Sequence, residues 1–116
     1  MVASLKVYTK DQVDVPARGD SVSRPQPQYP EALLFTGVPG QVLAEFVVDT
    51  VGHVELDTFG VISSTNPKFT EAVQRALPDW AYAPAMKDGK RVRQLVQQPF
   101  TFVVDSSVMK RASSRQ

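Results

Sequence analysis

The chain reads as an α+β domain: a three-stranded antiparallel sheet with two helices packed on one face, in the order helix, strand, strand, helix, strand. Three observations predict it. Two runs of alternating hydrophobicity, residues 41–49 and 53–63, are joined by the short turn Thr50-Val51-Gly52, as an antiparallel hairpin requires. Phe69, Ala72, Val73, Ala76 and Leu77 recur at the spacing of one helix face. A last run, residues 90–104, follows the turn Asp88-Gly89 and carries Val92, Val96, Phe100, Phe102 and Val104 on one parity.

Taken in order, residues 1–28 are polar, with Pro16, Gly19, Pro25 and Pro27, and form an arm in which only residues 5–8 can make a short extended segment. Prolines at 25, 27 and 30 bias the residues before them toward extended geometry, so residues 24–29 should be a stiff, polyproline-like strip. Pro30 suits the first position of a helix, Glu31 to Leu34 are good helix formers and Gly37 is a stop. A helix of about two turns is expected there.

In the first strand Val42, Ala44, Phe46 and Val48 should face the core. In the second, Val54 and Leu56 should point inward, and near Phe59 and Gly60 the alternation loses phase because Val61 and Ile62 are both apolar. A bulge would reset that register. Asn66 as cap and Pro67 at the first turn open the second helix, and Pro78 stops it. Trp80, Tyr82 and Pro84 follow as an extended piece. Pro99 cannot donate a ladder hydrogen bond, which places part of the last strand at a sheet edge with the missing donor turned away from its partner. The organisation expected is an arm at 1–28, a domain at 29–105 and a disordered basic tail at 106–116.

A length of 116 residues suits one core, and 42% hydrophobic with 22% charged residues is a composition that folds. The formal charge is +1, but residues 1–85 hold six Lys or Arg against ten Asp or Glu, and residues 86–116 hold seven against two. Strands from the two parts lying side by side would compensate. Glu45, Asp49, Glu55 and Asp57 should share the wet face with Leu43, Arg91 and Arg93, each opposite-charge pair contributing about 0.2 to 1 kcal/mol. Nucleic acid is not an expected partner, and no glycine-rich phosphate loop or dinucleotide motif points to a small-molecule substrate. The absence of cysteine excludes disulfides and thiolate chemistry. The sequence contains no run long enough to cross a bilayer and no secretory leader, so a chain working outside the cytoplasm would be a fragment.

The candidates for chemistry are few. His53 has no second imidazole for a metal site, and Ser63 and Ser64 have no base to activate them. The hairpin carboxylates lie on a strand, a poor calcium geometry. No enzyme activity, cofactor or metal is expected. Trp80 and Tyr82 can be read as a ligand-stacking pair or as inward anchors, with the helix end and their spacing of two favouring the core.

The string Gln26-Pro27-Gln28-Tyr29-Pro30, then Gly40-Gln41-Val42, Phe46-Val47-Val48-Asp49, Gly52-His53-Val54, Ser63-Ser64, Trp80-Ala81-Tyr82-Ala83-Pro84 and Pro99-Phe100-Thr101-Phe102, resembles the C-terminal domain of TonB-family energy transducers in both order and spacing. The segment between Gly52 and Ser63 is longer than in the best-studied members. The resemblance implies a periplasmic docking domain of an inner-membrane-anchored protein, reaching ExbB and ExbD through a membrane helix absent from this chain. It further implies that the TonB box of an outer-membrane transporter, a short extended peptide, pairs with the last strand, so that inner-membrane energy drives uptake. The expected partner-binding residues are Arg24, Gln26, Pro27, Gln28 and Tyr29 in the strip and Leu95, Val96, Gln97, Gln98, Pro99 and Phe100 in the strand. An exposed edge can take such a peptide by β-augmentation. The same edge can instead be a seam between two copies, in a homodimer or a scaffold of the same fold, and the strip can be a linker packed on the first helix.

Overall fold

The computed structural model describes residues 6–19, 24 and 26–103, with residues 34–36 by backbone alone; the expectation for residues 106–116 lies outside this range. The described elements are β1 (Val7–Tyr8), β2 (Gly40–Val48), β3 (Val54–Ser64), α1 (Pro67–Ala76), β4 (Ala85–Lys87) and β5 (Lys90–Phe102). β2 pairs antiparallel with both β3 and β5, giving the order β1-β5-β2-β3, with β4 forming a hairpin on β5.

The sheet is therefore mixed and larger than the three strands expected, because β1 pairs parallel with β5 and the piece after Trp80 returns as β4. One α-helix is described, not two. Residues after Pro30 form a six-residue 3-10 helix, Glu31–Thr36, whose first bond runs from the Leu33 N–H to the Pro30 carbonyl at 3.0 Å. A segment of one to two turns gains too few i→i−4 bonds to offset nucleation, and the tighter i→i+3 turn results. Gly37 stops it as expected, at φ 65°.

α1 begins as read: the Asn66 side chain accepts the Lys68 N–H at 2.8 Å, and Pro67 occupies the first turn. Its buried face, Phe69, Ala72 and Val73, continues through Leu77 onto Val42, Ala44, Phe46 and Val48 of β2 and Val96, Phe100 and Phe102 of β5. Trp80 belongs to this core at 5% exposure, its ring 5.2 Å from that of Phe100. Phe69 stacks on Phe102 at 4.7 Å, and a β-carbon on Gly40 would collide with the Phe69 ring.

Leu56 does not point inward; it is 49% exposed. The ladder slips between Glu45 and Val47, where Glu45 faces Gly60 but Val47 faces Glu55, so residues 56–59 loop out of register. Thr58 closes the loop, its hydroxyl accepting the Val47 N–H at 2.8 Å and donating to the Glu55 carbonyl at 2.6 Å. A second slip between Leu43 and Ala44 accommodates Ile62, the phase loss legible at Val61 and Ile62. On the face away from α1, Arg93 grips Glu55 with two charge-assisted bonds of 2.7 and 2.6 Å, joining the acidic hairpin to the basic last strand. That grip raises the Arg93 pKa above its ordinary value and keeps it charged.

Candidate functional site

The outer edge of β5 is defined by hydrogen-bond parity. Gln41 directs both its N–H and its carbonyl toward β3, bonding Thr65 at 3.0 Å in each direction. Its partner across the ladder, Thr101, must then turn its own backbone groups away from β2. β2 and β5 pair without a register shift from Gly40↔Phe102 to Val48↔Gln94. Parity therefore carries through, and Leu95, Gln97, Pro99 and Thr101 all face outward. The proline that cannot donate sits at an outward position, opposite Leu43, where its missing N–H leaves the ladder to β2 intact.

The side chains alternate the other way. Val96 and Phe100 are buried in the core and their backbone groups belong to the ladder with β2, so they support the edge from beneath. Gln97 and Pro99 are exposed, while Leu95 and Gln98 are half-buried.

The proline strip runs past the far end of this edge. The Gln26 amide donates to the outward carbonyl of Thr101 at 3.2 Å, and Pro27 is buried beside it. Gln28 is exposed. Tyr29 turns the other way: its ring meets Phe69 and Phe102 edge-on at 5.5 and 6.3 Å, and its hydroxyl donates to the Val38 carbonyl at 2.5 Å. Tyr29 thus fastens the strip to the core.

Arg24 sits over Trp80 and Tyr82, its guanidinium carbon 5.6 and 5.3 Å from the ring centroids, in cation–π contact. It donates to the Gln98 side-chain oxygen at 3.3 Å and to the Gly19 carbonyl at 2.8 Å. Tyr82 donates to the same Gln98 oxygen at 3.4 Å. Burial lifts the Tyr82 phenol above its ordinary value of 10.0, and Arg24 pulls it partway back. With that oxygen held, the Gln98 amide nitrogen donates to the outward carbonyl of Pro99 at 3.0 Å.

Sequence reading missed Gln94, which is 3% exposed. Its oxygen accepts the Ala17 N–H at 2.7 Å and its nitrogen donates to the outward carbonyl of Leu95 at 3.3 Å. The available signal was a glutamine on the inward parity between Val92 and Val96. Also missed was the arm itself, which pairs through β1 with Arg93 and Gln94. Among the described residues, no three His, Cys, Asp or Glu side chains gather where a metal could sit.

A family model for the Gram-negative bacterial TonB protein C-terminal region matches residues 25–104. The chain belongs to this family. Members of the TonB C-terminal family are protein-interaction domains rather than enzymes; in general they act in the periplasm and dock TonB-dependent transporters of the outer membrane. The fold is similar to the solution structure of the Pseudomonas aeruginosa TonB C-terminal domain, with a TM-score of 0.63 at 21% identity over 84% of this chain and 94% of that one. It is also similar to the TonB2 protein of Vibrio anguillarum, with a TM-score of 0.56 at 28% identity over 82% and 85% of the two chains. No protein of curated function matches significantly. Within this fold, the strip at Gln26 and the outward carbonyls of β5 lie side by side, joined by the bond from the Gln26 amide to Thr101.

Proposed function

We propose that this TonB C-terminal domain binds the TonB box of an outer-membrane transporter as an added strand on the outer edge of β5, and so transmits inner-membrane energy for uptake. The observation that carries the reading is the parity of β5: Leu95, Gln97 and Thr101 aim both N–H and carbonyl outward, and Pro99 adds a carbonyl. An extended peptide satisfies such a row through its own backbone, largely independent of its side chains. Arg24 and Gln26 stand beside the row, and Gln28 is exposed next to them, so specificity would come from the strip. ExbB and ExbD would be reached through a membrane helix outside this chain; among the described residues no helix is long and apolar enough to cross a bilayer.

The test is NMR titration with synthetic TonB-box peptides from transporters of the organism that encodes the chain. Amide shifts should concentrate at residues 90–101 and 24–29. Affinity should be modest, because ordering a flexible peptide offsets part of the pairing energy. Silence at millimolar peptide, with a second copy of the chain paired along the same edge, would replace docking by homodimerisation or a scaffold role.

A further inference from the structure

An edge that offers a row of outward backbone groups invites any extended chain, and part of the row on β5 is covered by the protein's own N-terminal arm. β1 pairs with β5 at Val7↔Arg93 and Tyr8↔Gln94, on the side of Gln94 opposite Val48, and it does so in parallel. Three outward carbonyls further along are each covered by a glutamine amide, and each amide is set by the arm or belongs to it. Ala17 holds the oxygen of Gln94, whose nitrogen covers Leu95. Arg24 holds the oxygen of Gln98, whose nitrogen covers Pro99. Gln26 covers Thr101 directly.

The arm is anchored away from the edge. The Asp14 carboxylate accepts the Asp88 N–H at 2.7 Å, Val15 and Met86 exchange bonds of 3.1 and 2.9 Å, and Arg18 and Ala83 exchange bonds of 3.1 and 2.6 Å. β1 itself is two residues long and buries neither side chain fully. A weakly paired strand on a firm tether has a high local concentration and a low intrinsic affinity, which suits a displaceable cap.

We propose that the described arm residues 6–19, 24 and 26 form a self-cap of the β5 edge, with β1 acting as an internal pseudo-ligand that a partner strand must displace. The inference rests on the docking reading of β5. Because Gln94 bonds β2, the parallel pairing of Tyr8 opposite it runs through the outward groups of Arg93 and Leu95, and a partner strand that takes either residue competes with β1. The glutamine amides are exchanged, not lost, since a partner N–H replaces each of them on its carbonyl. The cap protects the edge against chance strand addition and lowers the apparent affinity by the fraction of molecules in which the arm is open.

The chain has no cysteine, so one disulfide can be introduced without ambiguity. Val7→Cys with Arg93→Cys places two thiols on paired strands, whose roughly 4.8 Å spacing lies within the Cα separation a disulfide spans. The full chain would be titrated with the same TonB-box peptide oxidised and reduced, beside wild type and Val7→Pro/Tyr8→Pro, which cannot pair as β1. The oxidised protein should bind about tenfold more weakly than the same protein reduced, and the proline variant about threefold more tightly than wild type. Because Arg93→Cys also releases Glu55, amide spectra unchanged outside residues 6–19, 45–60 and 90–95 would confirm that all forms fold. Equal affinities in the oxidised, reduced and proline forms, with shifts still running along 95–101, would overturn the cap and leave the docking reading standing. Failure of the disulfide to close would overturn it too, by removing β1 from the edge. No binding in any form would sink the docking reading and the cap with it.

Discussion

Trp80 sits where three features of the molecule meet: the end of α1, the floor of the sheet and the guanidinium of Arg24. Its ring packs on Phe100 and lies 6.2 Å from Tyr82, while Arg24 covers the outer side of both rings. The burial of 95% of this residue settles the choice between ligand stacking and core packing in favour of the core. Trp80→Ala should lower stability by about 3 to 5 kcal/mol, read as a fall in the urea midpoint. A midpoint close to wild type would put the indole at the surface. The identity of Trp80 as an anchor was legible from its spacing to Tyr82, whereas its contact with Arg24 was not, since the two positions are far apart in sequence and adjacent only in the fold.

At the scale of the element, β5 does two jobs with alternate residues. Gln98 belongs to the ladder with β2 opposite Ala44, and Gln97 faces outward opposite Glu45. A proline at each position therefore removes a different N–H. Gln97→Pro should leave the urea midpoint near wild type, as the natural proline at 99 does no harm to the ladder, and should weaken peptide binding by about 1 to 3 kcal/mol. Gln98→Pro should instead cost about 1 to 3 kcal/mol of stability by leaving a buried acceptor on β2 unpaired. Equal effects of the two substitutions on stability would show that the parity assigned to the edge is wrong. Gln97→Ala, which keeps the N–H, should change binding little. The existence of this strand and the outward turn of Pro99 were both readable from alternation and proline chemistry, because each depends on near neighbours alone. The 3-10 turn after Pro30 was misread for the converse reason: propensity names a helix former but does not supply the length that makes an α-helix cooperative.

For the whole molecule, stability links to pH through the one tyrosine that the core encloses. In the unfolded chain the Tyr82 phenol ionises near 10.0, and in the folded protein burial raises that value. Below pH 10.0 the phenol is neutral in both states and its contribution is fully present; as pH rises through the folded value, the unfolded chain has already shed the proton and the contribution is lost. Tyr82→Phe should therefore show a shallower fall of urea midpoint in the alkaline range than wild type. Parallel curves would place the hydroxyl in water. The charge asymmetry of the chain acts at the same scale, since the grip of Arg93 on Glu55 fastens the basic last strand across β2 to the acidic hairpin. That compensation was foreseeable from the opposite signs of the two parts, though the particular partners were not.

The amino-acid sequence by itself determined the hairpin, α1 with its Asn66 cap, the inward faces of β2 and β5, and the family, because periodicity, capping and turn chemistry act between residues a few positions apart. Leu56 marks where that logic stops, since the Thr58 loop that turns it outward answers to Val47 on the neighbouring strand. Only the tertiary structure decided that the polar arm returns to the sheet as a parallel strand, and that Ala17, Arg24 and Gln26 meet Gln94, Gln98 and Thr101 across 77, 74 and 75 positions. Those bonds leave no local signature. Their donors and acceptors are ordinary backbone, amide and guanidinium groups, and what selects each partner is the folded sheet that brings the two ends of the chain to one edge.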